Sequence, residues 1–366
     1  MKALLVGMSR VCGWMFLGAL GISSLTALEG LPVLSPQARA QTLINGAGAT
    51  FPYPLYSKWF SEYAKVDPSA RFNYQSIGSG GGIRQIKVGT VDFGASDAAL
   101  TDQELKQMPR ELLHIPTVAG AVVITYNLPG VQRGLKLTPD VLVQIYLGQV
   151  TKWNDPKIAS LNPNISLPDQ QIIVVHRSDG SGTTNIFTTY LSVISKTWAT
   201  QVGKGTSVNW PVGLGGKGNE GVAGQVKQIP GAIGYVELVY ADQNKLPSAL
   251  LKNQAGRFVE PTLEATSAAV AGAITQLLKD MRVPIVNSPG ERAYPIAGLT
   301  YLLAYKEQDD QKKGAALAKF LWWAIHDGQK YAPGLLYAPL PPQLVKVIEA
   351  KIEQITFQAK PILAVH

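Results

Sequence analysis

The chain has 366 residues with a formal net charge of +8, 46% hydrophobic residues, 36 glycines, 24 prolines and a single cysteine. Such a composition belongs to a loop-rich globular protein long enough for two domains, and it excludes a disordered or membrane-embedded chain. Lysines and arginines are scattered, with no run of five basic residues, so the surplus charge reads as solvated surface and argues against a nucleic-acid partner.

Lys2 and Arg10 flank the start of an apolar run from Val11 to Leu28, and the small-x-small triplet Ala38-Arg39-Ala40 closes the segment. At 18 residues, interrupted by Gly13, Gly18, Gly21, Ser23 and Ser24, the run is short for a membrane span. The expectation is an export signal, residues 1–40, cleaved after Ala40 to leave 326 residues. Its charged residues, Lys2, Arg10, Arg39 and Glu29, hold a net +2 of the total. Cys12 stands at the start of the apolar run and not at its end, so it is not the modified first residue of a lipoprotein, and the mature chain has no disulfide. An exported chain with neither lipid nor anchor is expected in the periplasm.

Beyond the leader, short apolar runs alternate with helical patterns, the mark of α/β architecture with largely parallel sheets. Gly46 to Phe51 reads as a turn opening into a helix whose inner face is Leu55, Trp59, Phe60 and Tyr63. Gly78 to Gly82 opens a second helix, and the alternating strand Val91, Phe93, Ala95 leads to Asp97. Ile115-Pro116-Thr117 reads as a passage between domains ahead of the strand Val122 to Tyr126. Ile172 to Val175 is an unbroken β-branched run suited to a strand buried on both faces, and it delivers Arg177 to a third turn, Asp179 to Thr183. That turn opens the helix marked by Ile186, Phe187, Tyr190, Leu191 and Ile194. Gly213 to Gly218 reads as a mobile surface loop. Tyr294-Pro295-Ile296, ahead of Leu302-Leu303, is the second crossing, and Phe320, Leu321, Ala324, Ile325 and then Leu344, Ile348, Ile352 mark two further helices. Two crossings make the first domain discontinuous: a first lobe of residues 41–116 and 296–366, and a second of 117–295.

The three turns share one design. A helix start leaves backbone N–H groups unpaired and carries partial positive charge, so a turn of small residues there can seat an anion, and serine or threonine hydroxyls add donors. Each turn alone serves equally well as an ordinary cap; three together point to an anion. Arg177, between a strand end and a helix start, can fork onto an oxyanion while Asp179 fixes its plane. Asp97 is the odd member. By spacing it reads first as the N-cap of a helix beginning near Thr101, whereas a functional role requires a ligand that still carries a proton. Phosphate near neutral pH does, and fully ionised sulfate would set two acceptors face to face.

Catalytic readings fail on the same residues. Asp179 occupies the place of the first glycine in a G-x-S-x-G elbow around Ser181, and His176 has no triad spacing. The remaining histidines, His114, His326 and His366, form no metal-ligand pair, so no metal and no cofactor are expected. Around Gly213 to Gly218, Lys217 is followed by Gly218 and not by Ser or Thr, and Pro211 stands at the first glycine position of a nucleotide loop.

The segments GAGATFPYPLYSKW (Gly46 to Trp59), YQSIGSGGGIRQI (Tyr74 to Ile86), VDFGASDAAL (Val91 to Leu100), RSDGSGTT (Arg177 to Thr184) and IGYVEL (Ile233 to Leu238) resemble the periplasmic phosphate-binding proteins of high-affinity phosphate ABC transporters. Weaker likeness continues through Trp153 to Asp155 and Lys319 to Pro341, so the resemblance covers essentially the whole mature chain. It implies a two-lobed type II periplasmic-binding fold, each lobe a mostly parallel sheet flanked by helices, with the ion held between lobes. It further implies a monomeric, non-enzymatic receptor of inorganic phosphate that serves a membrane permease. By motif position the ligand contacts fall on Thr50, Phe51, Ser79, Asp97, Arg177, Ser181, Gly182 and Thr183, with Asp179 supporting Arg177. Gly80 departs from the pattern, standing where many relatives have a second serine.

Overall fold

The computed structural model describes residues 41–363; the proposed export signal lies outside the described residues. Eight strands form one mixed sheet. They are β1 (Thr42–Gly48), β2 (Ala70–Ser76), β3 (Phe93–Ser96), β4 (Leu112–Tyr126), β5 (Ile173–Arg177), β6 (Leu214–Gly216), β7 (Ala232–Glu237) and β8 (Ala297–Tyr305), in the spatial order β2-β1-β3-β8-β4-β7-β5-β6. The first half holds β1 parallel to β2 and β3, and the second holds β5 parallel to β6 and β7. Between them β8 and β4 run antiparallel to their neighbours, as strands that carry the chain from one half to the other must. The result is a two-lobed α/β fold.

All 15 residues of β4 and all nine of β8 are buried, which suits the central strands of a sheet covered on both faces. β4 pairs with β8 as far as Ala121 and with β7 from Val122 onward, so one strand belongs to both halves. Ile115-Pro116-Thr117 therefore lies within this strand and not ahead of it. The ladder tolerates Pro116 because the register slips between Thr300 and Tyr301, leaving Thr117 as the extra residue of a bulge. The second passage enters β8 at Ala297, and Ile296 accepts from the amide of Val122 at 2.8 Å.

Helices pack where their apolar spacing points. α1 (Tyr53–Val66) buries Leu55, Tyr56, Trp59 and Tyr63, and the Trp59 indole donates to the Gly328 carbonyl at 2.7 Å. α2 (Ser79–Val88) starts at Gly78, whose φ of 82° favours glycine, and closes on the left-handed Gly89. α3 (Gly182–Ile194) is capped by the Ser181 hydroxyl, which accepts from the Thr184 amide at 3.0 Å. α4 (Gly218–Gln228) follows β6 directly, and α5 (Gln311–Ile325) and α6 (Pro342–Ile352) are the two expected C-terminal helices.

Two expectations shift. Gly46 to Gly48 belong to β1, and the first turn is Ala49 to Pro52; a side chain at Gly46 would strike the Phe93 ring, so that glycine serves strand packing. The strand before Asp97 spans Phe93–Ser96 with all four residues buried, because β1 flanks it on one edge and β8 on the other.

Candidate functional site

In open α/β sheets, ligands sit outside the carboxyl ends of the parallel strands. Here β1 ends ahead of Thr50 and Phe51, β2 ahead of Ser79 and β3 at Asp97, while β5 ends on Arg177, β6 ahead of Asn219 and β7 on Glu237. Carboxyl ends from both halves of the sheet meet at one place, and all these side chains are buried.

The second and third turns touch directly. Ser79 Oγ accepts from the amides of Gly182 at 3.0 Å and Asp97 at 3.2 Å, and the Gly80 amide donates to the Gly180 carbonyl at 2.9 Å. A Cβ on Gly182 would come within 2.6 Å of Asp97 and 2.5 Å of Ser79 Oγ, so only glycine allows this approach. One on Gly78 would sit 2.3 Å from Asp179 Oδ2.

Arg177 is held as expected. Its Nε and Nη2 donate to the two carboxylate oxygens of Asp179 at 2.7 and 2.6 Å, and Nη1 reaches Thr183 Oγ1 at 3.3 Å. Burial works against its charge, yet the hydrogen bonds and charge of Asp179 outweigh it and hold the guanidinium above its usual pKa. Burial likewise opposes ionisation of Asp179, and Arg177 overrides it to keep that carboxyl below its ordinary value. The Gly218 amide braces the pair by donating to Asp179 Oδ1 at 3.0 Å.

Asp97 is different in kind. Its Oδ1 accepts from the Thr300 hydroxyl at 2.7 Å, and Ser79 lies 3.4 Å from Oδ2. Burial pushes its pKa up to about 7, against the Thr300 hydrogen bond and the charge of Arg177. It is not a helix cap; that part is taken by Thr101, in a reciprocal box with Glu104. Thr300 sits at the bulge of β8, where Thr117 Oγ1 donates to its carbonyl at 3.2 Å and Tyr56 bonds Thr117 at 2.8 Å.

Thr50 and Phe51 are gripped by their carbonyls. Tyr240 donates to Thr50 O at 2.5 Å and Tyr337 to Phe51 O at 2.6 Å, while neither amide has a protein acceptor among the described residues. Tyr337 Oη also lies 3.2 Å from Glu237 Oε2, and burial drives the Glu237 carboxyl well above the carboxylate range. Thus Thr50, Phe51, Ser79, Asp97, Arg177, Ser181, Gly182 and Thr183 all come together, with Asp179 behind Arg177.

The sequence reading missed a fourth helix start. Gly213 to Gly218 lies largely at the surface, as expected, but it is not a loop: Leu214–Gly216 form the edge strand β6, and Gly218 opens α4, where Asn219 is fully buried. Asn219 Nδ2 donates to Thr50 Oγ1 at 2.6 Å and to Thr183 Oγ1 at 3.2 Å. The available signal was the one used for the other turns, small residues opening a helix.

Four helix starts closing on buried Arg177 and on the buried carboxyls of Asp97 and Glu237, with strand ends supplied from both lobes, define a substrate-binding protein of the periplasmic-binding type. The model of the PBP superfamily domain matches residues 35–327. A phosphate-binding protein PstS from Xylella fastidiosa is 50% identical over 308 residues, covering 84% of each chain. One from Haemophilus influenzae is 47% identical over 317 residues, 86% of this chain and 94% of that one. Among solved structures, a phosphate binding protein from Stenotrophomonas maltophilia shares the fold at a TM-score of 0.63 and 21% identity, over 84% of this chain and 93% of that one. The chain belongs to the PstS family of phosphate-binding proteins.

Proposed function

We propose that this chain captures inorganic phosphate between its lobes in the periplasm and delivers it, as a monomer, to the membrane permease of an ABC-type importer. Asp97 carries the choice of ligand. A buried carboxyl with its pKa near neutrality can accept a hydrogen bond from a protonated oxyanion, and it repels a fully ionised one. Thr50 and Phe51 would give their amides, Ser79, Ser181 and Thr183 their hydroxyls, Gly182 its amide and Arg177 its fork, with Asp179 fixing the guanidinium. Charge-assisted hydrogen bonds worth about 1.5 to 3 kcal/mol each make micromolar or tighter affinity, roughly 8 kcal/mol or more, attainable with half a dozen of them.

The proposed lobes are residues 41–116 with 296–366, and 117–295; the change of partner along β4 supports a crossing in this region. Membership of the family supports delivery to a permease, and a role as a binder and not an enzyme. Export rests on the sequence of residues 1–40, and among the described residues no helix is long and apolar enough to cross a membrane. Calorimetric titration of ligand-stripped protein with phosphate, arsenate, sulfate and molybdate tests the ligand class. Phosphate and arsenate should bind and sulfate should not; sulfate binding as tightly as phosphate would refute the role given to Asp97.

A further inference from the structure

Asn219 decides which way two hydroxyls of the site can point. Its Oδ1 accepts from the backbone amide of Glu237 at 2.9 Å. A backbone N–H can only donate, so the carboxamide has one permitted orientation and Nδ2 must face the site. There Nδ2 donates to Thr50 Oγ1 and to Thr183 Oγ1, at 2.6 and 3.2 Å, and the Asn219 amide donates to Thr50 Oγ1 at 3.2 Å. A threonine hydroxyl has two lone pairs and one hydrogen. On Thr50 both lone pairs are taken by Asn219. On Thr183 one is taken by Asn219 and the other by Arg177 Nη1 at 3.3 Å. Each oxygen has only its O–H left to offer, one from each half of the sheet.

We propose that Asn219 is a positioning and specificity-determining residue of the anion site: by filling the lone pairs of Thr50 and Thr183 it forces both hydroxyls to donate and leaves Asp97 to accept. A pocket set in this way favours a tetrahedral oxyanion bearing one proton over one bearing two: Ser79 Oγ already accepts from two amides, and of the site's hydroxyls only Ser181, which accepts from the Thr184 amide alone, keeps a lone pair for a second P–OH. The inference rests on the phosphate reading above. Without the Asn219 carboxamide the hydroxyls regain free lone pairs and can turn to accept.

The test is titration with inorganic phosphate of wild type, Asn219→Ala, Thr183→Val and the double variant, at about pH 8, where phosphate carries mostly one proton, and at about pH 5, where it carries mostly two. Asn219→Ala is expected to weaken binding about tenfold or more at the higher pH and clearly less at the lower. The double variant is expected to bind more tightly than the two single losses combined would give, since Asn219 acts partly through the hydroxyl that Thr183→Val deletes. The titratable groups around Asn219 are Glu237, Glu220, Tyr240, Asp97 and Arg177 with Asp179; Asp97 takes up its own proton between the two pH values, so the loss in each variant is read against wild type at the same pH and the mutant cycle is run at the higher pH, where Asp97 accepts. Equal weakening at both pH values, or additive losses in the cycle, is what a merely structural role gives and overturns the proposal. Should Asn219→Ala fail to fold, neutron diffraction of deuterated wild type with phosphate gives the answer directly: deuterons on Thr50 and Thr183 point at the anion, and one pointing at Asn219 overturns it. Wild type that binds no phosphate defeats the functional reading itself, an outcome separate from wild type that binds while Asn219→Ala binds unchanged.

Discussion

Arg177 turns its Nε and Nη2 to Asp179, so Asp97 feels it as a charge and not through a hydrogen bond among the described residues, and burial dominates the Asp97 carboxyl. An unfolded chain ionises such a residue near pH 4, whereas the folded protein keeps the proton until about 7. Between those values the native state binds the extra proton, so the contribution of Asp97 to stability is fully present below about pH 4 and declines as pH rises toward 7. Asp97→Asn keeps the shape and removes the ionisation. Ligand-free Asp97→Asn should therefore melt higher than wild type at about pH 8, by about 2 °C or more, and close to wild type at about pH 4. The same change replaces an acceptor by a donor, so the preference for phosphate over sulfate should fall about tenfold or more. Melting curves at the two pH values with paired titrations check both statements; an unchanged melting point at pH 8 would mean that the buried carboxylate is not strained.

At the scale of elements, the site is a meeting of helix starts, and the contact between α2 and α3 depends on the absence of a side chain at Gly182. Gly182→Ala places a methyl against Asp97 and Ser79, which belong to the other half of the sheet. Each half keeps its own strands and helices, so the expected outcome is a folded protein with affinity for phosphate reduced about a hundredfold or more. Circular dichroism with titration separates this from unfolding, and near-normal affinity would show that the two turns need not touch. These starts were legible in the sequence because small residues before a helical period are local signals: Gly78 to Gly82 and Asp179 to Thr183 fall where the spacing placed them. Gly46 to Gly48 were misassigned because a glycine that makes room for the Phe93 ring of a neighbouring strand looks the same, in sequence, as one that makes a turn. Asn219 escaped because small residues mark its helix start but not its partners: its meaning lies in contacts with Thr50, Thr183 and Glu237, which depend on where β6 delivers it.

For the whole molecule, the proline-bearing stretches beside apolar runs fall within β4 and just ahead of β8, the two strands between the halves of the sheet, but the bulge at Thr117 and Thr300 was not readable, since register is a property of two strands. What joins the halves at the site is a set of hydrogen bonds between them: Ser79 with Gly182, Gly80 with Gly180, Tyr240 with Thr50, Tyr337 with Glu237, and Asn219 with Thr50. Each nets only about 1 kcal/mol over its hydrated alternative, and bringing Asp97 and Glu237 out of water opposes them, so closure of the proposed lobes without ligand is expected to be finely balanced. A ligand that bonds to both halves shifts that balance by its differential affinity for the closed form. Phosphate at about a hundred times its dissociation constant should add about 2.7 kcal/mol of stability, a rise of about 4 °C in melting temperature, while sulfate at the same concentration adds little. Small-angle scattering should show the radius of gyration fall on adding phosphate to wild type and stay constant in Gly182→Ala, whose halves are held apart by the added methyl. A melting shift without any contraction would mean that the anion binds to one lobe alone, and the chain would then lack the closed surface by which a permease could tell the loaded protein from the empty one.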